Sequence, residues 1–260
     1  MKRISLFTVA ILVSFNFLNA ATITKIFYKN GKVHYELSTQ NGKKSGITKE
    51  YDKNGNLIAE WRYENDKLNG ISKQYKNGKL KYEVNYENGV VEGITKEYNE
   101  DGTLKAEWMY KNGKKNGVSI IYYPNGKVHY KSTYKDSKLN GITKEYDENG
   151  KLKAEWMYKN GKLNGISKKY DKKGNLKFEV PYKNDVIEGT VVEYNPDGTV
   201  KAKWAYKSGK KNGVSVIFYP SIGTKHYELT YKEGVLNGIA KEYYEDGGLK
   251  AEWEYKNGKM

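Results

Sequence analysis

From about residue 22 onward, apolar and polar residues alternate in short runs separated by Asn-Gly and Asp-Gly pairs. One stretch begins at Gly141, which is taken as position 0 of a unit. Ile142, Tyr146, Leu152, Trp156 and Tyr158 then fill positions 1, 5, 11, 15 and 17, while Thr143, Glu145, Lys153 and Glu155 fill positions 2, 4, 12 and 14. A period of two residues marks a strand with one covered face. The runs are joined by Pro124-Asn125-Gly126, Pro196-Asp197-Gly198 or a variant without proline, which fits a type I turn closing on a left-handed glycine with a bulge. A three-residue loop at positions 7, 8 and 9 pairs 5 with 11, 3 with 13 and 1 with 15, so the odd positions share one face. The polar face then sets position 4 against 12, as Glu97 with Lys105, Glu145 with Lys153, Glu193 with Lys201 and Glu242 with Lys250. Such cross-strand pairs contribute roughly 0.2–1 kcal/mol each. In the unit containing Trp61, Glu50 meets Ile58 instead.

The same unit recurs. Its junction glycine returns at Gly46, Gly70, Gly93, Gly117, Gly141, Gly165, Gly189, Gly213 and Gly238, at intervals of 23 to 25 residues. A divergent unit precedes Gly46, and the last reaches Lys259-Met260, so about ten units follow one another without a linker. Tryptophan falls in alternate units only, and the three histidines (His34, His129, His226) occupy one equivalent position about 96 residues apart. Ten hairpins make a meander of about twenty strands, roughly 90–100 Å across if flat. Twist curls a sheet of that size. The expected fold is all-β: tandem β-hairpin repeats of about 24 residues forming an elongated, curved or coiled antiparallel sheet in which each unit touches its neighbours.

Residues 1–20 read differently. Lys2 and Arg3 precede a mostly apolar stretch from Ile4 to Leu18, and Ala20 and Ala21 follow. This is the layout of a secretory signal peptide, with cleavage after Ala20 or Ala21. The expected domains are therefore a signal peptide over 1–20 and a continuous array over 21–260, in an exported protein that is periplasmic, at the cell surface or secreted. Removing the leader takes the formal charge from +15 to +13.

The order Tyr146, Asn149-Gly150, Leu152, Tyr158, Lys159-Asn160-Gly161-Lys162, repeated along the chain, resembles the bacterial variant of the MORN repeat, in the YwqK-like group. The resemblance implies hairpins in an extended antiparallel sheet, and a binding or scaffolding surface instead of a catalyst. Some members of that group are labelled antitoxin components, which implies an antitoxin-like inhibitor as one alternative. Tyr51-Asp52-Lys53-Asn54-Gly55-Asn56-Leu57 and Tyr170-Asp171-Lys172-Lys173-Gly174-Asn175-Leu176 also resemble YD repeats, although many units here lack the Asp.

Chemistry is sparse. The chain has no Cys, which excludes disulfides, thiolate metal sites and a cysteine nucleophile. Histidines four units apart lie roughly 40 Å apart in an open sheet, beyond a shared coordination sphere, and read as solvated cross-strand residues. Recurring acidic pairs such as Glu50/Glu60, Glu97/Glu107 and Glu145/Glu155 lack the asymmetry that glycoside hydrolysis needs. No catalytic, metal or cofactor site is expected.

The candidate binding residues are the aromatic stripe of Trp61, Trp108, Trp156, Trp204 and Trp253 with Tyr63, Tyr110, Tyr158, Tyr206 and Tyr255. This stripe reads either as a core, buried by curling or a second layer, or as a platform for a protein or sugar ring. Lysines crowd the turns at 111–115, 159–162 and 207–211. They read either as solubilising and edge-protecting groups or as attraction for an anionic partner. The leading expectation is an exported, non-enzymatic repeat protein whose extended surface serves protein–protein interaction or adhesion. Carbohydrate or cell-envelope binding through the stripe is the alternative. No nucleic-acid partner is expected, because no reader module appears.

Overall fold

The computed structural model describes residues 21–220 and 222–260. The segment read as a signal peptide lies outside the described residues. Those described form 27 strand segments and no helix, in one open antiparallel sheet. Twenty segments are long and seven contain two residues, so the architecture is a meander of ten hairpins. In one hairpin Lys138–Tyr146 pairs with Leu152–Lys159, and the next pairs Gly165–Tyr170 with Leu176–Lys183. The main contacts join strands adjacent in sequence, as a repeat array requires.

The three-residue loop forms. The amide of Asp147 donates to the carbonyl of Lys151 at 2.8 Å, and Gly150 donates to Asp147 from a φ of 86°. Tyr146 pairs with Leu152, position 5 with 11. Beyond that pair the register departs from the expectation. A second bulge lies between Glu145 and Tyr146, after which Glu145 pairs with Ala154, Lys144 with Glu155, Thr143 with Trp156 and Ile142 with Met157. Position 3 thus meets 14, not 13, and position 1 meets 16, not 15. The extra residue is Lys153 at position 12.

A one-residue slip exchanges the faces. Trp156 and Tyr158 therefore share one face with Thr143, Glu145 and Ala154, while Ile142, Lys144, Glu155 and Met157 occupy the other. We call these the tryptophan face and the isoleucine face. Tyr170 at position 5 bonds Glu155, so that position also belongs to the isoleucine face. The odd positions do not share a face. The expected Glu–Lys pairs nevertheless form, because the bulged lysine leans toward position 4: Glu97–Lys105 2.8 Å, Glu145–Lys153 2.6 Å, Glu193–Lys201 2.8 Å and Glu242–Lys250 2.9 Å. Where Ile58 replaces the lysine, Glu50 instead accepts from Trp61 Nε1 at 2.9 Å and the Tyr35 hydroxyl at 3.0 Å.

No second layer covers either face among the described residues. Most of the buried groups are small and lie within the tryptophan face, among them Ala59, Ala106, Ala154, Ala202 and the position-2 residues Thr48, Thr95, Thr143, Ser72, Ser119, Ser167 and Ser215. Each of the four serines accepts a backbone amide from the preceding hairpin, as Ser167 Oγ does from Met157 at 3.3 Å. A buried hydroxyl is tolerated when it is bonded in this way.

The second turn, Lys159–Leu163, is a two-residue hairpin with Asn160 and Gly161 at φ of 54° and 86°. Two consecutive positive φ values suit Asn-Gly and match the twist of the flanking strands. Successive turns stack, with Gly161 N–H bonded to the Leu139 carbonyl at 2.7 Å.

Candidate binding surface

The tryptophan face carries all ten residues of the predicted stripe, at positions 15 and 17 of alternate units, in rows that run the length of the sheet. The five tryptophans are half-buried. Their rings lie over small buried side chains and are not enclosed by a second sheet. Each faces a position-2 residue across the strands: Thr48, Thr95, Thr143, Val191 or Ala240.

Two tryptophans carry a lysine on the ring. Lys115 Nζ sits 3.3 Å from the Trp108 centroid, and Lys211 Nζ 3.5 Å from that of Trp204. Desolvation there pushes both ammonium groups below the usual lysine range. In the units of Trp61 and Trp156 the equivalent residue is Leu68 or Leu163. Trp156 instead meets Lys169 at 5.4 Å, and beside it opens a cleft of about 690 Å³ lined by Glu145, Lys153, Ala154, Trp156 and Lys169 among others.

The histidines stand at position 12, where other units have lysine or isoleucine. They are not simply solvated. Each is half-buried between two tyrosine rings, as His129 is between Tyr123 and Tyr130 with both centroid separations at 4.0 Å. His34 and His226 repeat the sandwich. Burial holds the His129 imidazolium pKa below its ordinary value. Among the described residues no group of three His, Cys, Asp or Glu is placed to hold a metal ion. The recurrent acidic pairs fall on opposite faces: Glu50 lies under Trp61, whereas Glu60 binds Tyr75 on the far side. They share no cleft.

The isoleucine face holds what sequence reasoning missed. Position-5 tyrosines reach back one hairpin to a position-14 glutamate, as Tyr75 to Glu60, Tyr98 to Glu83, Tyr122 to Glu107 and Tyr194 to Glu179, at 2.7–2.8 Å. Desolvation and these carboxylates push the four phenols up to about 12. Beside this ladder runs a row of exposed aliphatics at position 1, from Ile47 to Ile239, between 41% and 55% exposed. The signal was present, since position 1 is Ile or Val in eight of the nine units that follow Gly46 onward. It shows only once the bulge separates position 1 from the tryptophan row.

Charge is unevenly placed on the two long edges. The turn Asp147–Lys151 and its nine equivalents carry nine lysines and nine acidic residues, whereas the turn Lys159–Leu163 and its nine equivalents carry 17 lysines and six acidic residues. Five of these basic turns set two lysines directly opposite one another: Lys111/Lys114, Lys135/Lys138, Lys159/Lys162, Lys207/Lys210 and Lys256/Lys259.

The family model of the MORN repeat variant matches residues 23–41, 44–65, 68–88, 91–112, 115–136, 139–160, 163–184, 187–208 and 236–257. No curated protein matches the chain. The stretch between 208 and 236 contains the unit at Gly213, whose turn from Tyr219 to Thr224 is one residue longer than its equivalents. With nine matched repeats the chain belongs to the MORN repeat-variant family, whose repeats serve protein or membrane interactions.

Proposed function

We propose that this MORN-variant array is an exported, non-enzymatic binding protein that holds a protein partner along its tryptophan face. The observation that carries the reading is the pair of aromatic rows left half-exposed on a single-layer sheet. Tyr and Trp supply large contact area at low entropic cost. Repetition adds avidity, because several weak contacts at fixed spacing bind as one. Export is supported by Lys2, Arg3, the apolar stretch to Leu18 and the Ala20-Ala21 pair. An adhesive role at a cell surface follows from joining that leader to a laterally extended array.

The test is capture of partners by residues 21–260, followed by Trp156→Ala with Trp204→Ala and by deletion of residues 117–212. Both changes should weaken capture of the same partner, and binding that survives the deletion unchanged defeats the repeated-contact reading. N-terminal sequencing of exported protein should find a chain starting at Ala21 or Thr22, and an intact Met1 would remove the export claim.

A further inference from the structure

We propose that the isoleucine face carries a second binding strip, along the basic edge, for an acidic, amphipathic polypeptide segment. The proposal does not depend on what the tryptophan face binds.

Three observations converge on the strip. The first is the set of opposed lysine pairs. In each, two ammonium side chains are cross-strand partners on a two-residue hairpin, as Lys159 is with Lys162. Like charges placed directly opposite destabilise a hairpin. Turns closed by Glu64 and Lys67, or by Lys183 and Val186, show that the fold does not require the arrangement. All five pairs lie between residues 111 and 259, so the strip spans six unit intervals of two strands each, about 60 Å. Of these ten lysines, only Lys210 makes an ion pair among the described residues, with Glu233 at 3.1 Å.

The second observation is position. Alternation puts the paired lysines on the same face as positions 16 and 1. The exposed aliphatic row, with Ile142 opposite Met157 and Ile94 opposite Met109, therefore runs immediately inside the lysine rim. The third is the inner border of that row, where Lys144–Glu155 at 2.9 Å and Lys168–Glu179 at 3.3 Å form ion pairs across the strands.

The occupant follows from this order of free cation, aliphatic and neutralised ion pair across the strip. It must offer carboxylates on one side and apolar groups beside them, repeated at about 9.6 Å, the width of one unit. An anionic bilayer laid on the aliphatic row would cover the inner border as well, where the lysines are already neutralised by glutamates and offer its headgroups no free cation. A linear sugar or nucleic-acid polyanion would leave the aliphatic row uncovered. A polypeptide, narrow and amphipathic, meets all three zones.

Binding is measured by fluorescence anisotropy with residues 21–260 and a labelled Glu/Leu copolymer. Poly-Glu, heparin and phosphatidylserine/phosphatidylcholine vesicles are the comparison arms. The Glu/Leu copolymer should bind best. Replacing Lys111, Lys114, Lys159 and Lys162 by Gln should weaken it by about tenfold or more and flatten its salt dependence. Ile142→Thr with Ile166→Thr should weaken it by about tenfold as apolar contact is lost. Thr190 already occupies the equivalent position, so the fold accepts that change, and removing opposed lysines should leave stability equal or higher. Trp156→Ala should leave copolymer binding unchanged. The proposal fails if poly-Glu or heparin binds as well as the copolymer and Ile→Thr has no effect. It also fails if vesicles bind and the copolymer does not, or if no probe binds.

Discussion

Position 2 offers a test in which one chemical group acts with opposite sign in neighbouring hairpins. The hydroxyls of Thr48, Thr95 and Thr143 are buried without a hydrogen-bond partner, facing a tryptophan across the strands. The equivalent residue in the next tryptophan unit is Val191, also buried. A buried polar group left unpaired costs about 1–3 kcal/mol, so Thr143→Val should stabilise the array by about 1 kcal/mol or more. In the hairpins between, Ser167 Oγ accepts the Met157 amide. Ser167→Ala strands that donor and should destabilise by about 1–3 kcal/mol. With a urea slope of about 2 kcal/mol per molar, each kilocalorie moves the midpoint by about 0.5 M, upward for the valine and downward for the alanine. Because repeat arrays can open unit by unit, exchange of the Met157 amide gives a local readout. It should accelerate about tenfold for each 1.4 kcal/mol lost in Ser167→Ala. A lower midpoint for Thr143→Val, or unchanged Met157 exchange in Ser167→Ala, would refute the assignment of which hydroxyls are satisfied.

Other outcomes follow from the same geometry. The phenols of Tyr75, Tyr98, Tyr122 and Tyr194 are held up to about 12, above the free value of 10.0, so their contribution is complete below pH 10 and is lost as pH rises toward 12. Titration at 295 nm should show these tyrosines ionising together with loss of strand signal, and ionisation near 10 in a still-folded chain would contradict the ladder. Gly165 sits at a φ of 110°, and an added Cβ would lie 2.8 Å from Met157 Cγ. Gly165→Ala should therefore cost more than about 1 kcal/mol, and adding Met157→Ala should recover only part of it, since the backbone strain remains. Ala106 is 1% exposed within the tryptophan face, so Ala106→Phe should destabilise by about 1–3 kcal/mol through overpacking, although Phe178 is native at the equivalent place one unit type away. A neutral result in thermal melts would show that the ring spacing is looser than the register implies.

The repeat, the hairpin loop and the charged pairs were legible because they depend on residues with few conformational options. Asn-Gly and Asp-Gly name their turns, and Glu145 finds Lys153 under either register. The second bulge was not legible. Both registers place Tyr146 opposite Leu152, and nothing about Lys153 distinguishes a paired lysine from an extra one. From that single residue the face assignments diverged. Thr143 and Ser167 read as polar-face residues yet are among the most buried. Ile142 read as core and is exposed. Serine can be buried because a backbone amide satisfies it, and that requires knowing which strand lies beside it. The aromatic stripe survived because Trp156 and Tyr158 lie on the same side of the bulge.

The longer periods have a packing cause. In tryptophan units position 13 is Ala and position 15 Trp. In the other units the corresponding residues are Tyr35 and Leu37, Tyr82 and Val84, Tyr130 and Ser132, Phe178 and Val180, and Tyr227 and Leu229. Adjacent hairpins thus set a large ring beside a smaller, non-aromatic side chain in both rows, and a unit of either kind stacked on its own kind would clash in one row and gape in the other. The structural repeat is therefore two hairpins. The four-unit period adds a second alternation around each tryptophan. Trp108 and Trp204 have Lys115 and Lys211 on the ring, with Ile121 and Ile217 opposite the neighbouring alanines. Trp61 and Trp156 reverse the arrangement, with Leu68 and Leu163 in place of the lysine and Gln74 and Lys169 opposite the alanine. Each of these four rings keeps one aliphatic and one polar flank, but on alternating sides. Removing two units would give a tryptophan two flanks of one kind. Removing the four units of residues 117–212 joins Asn116 to Gly213 and restores to Trp108 an isoleucine, Ile217, where Ile121 had been. Four hairpins are the smallest block whose loss or gain leaves every tryptophan in its native surroundings, and the spacing of the three Tyr-His-Tyr stacks follows that block.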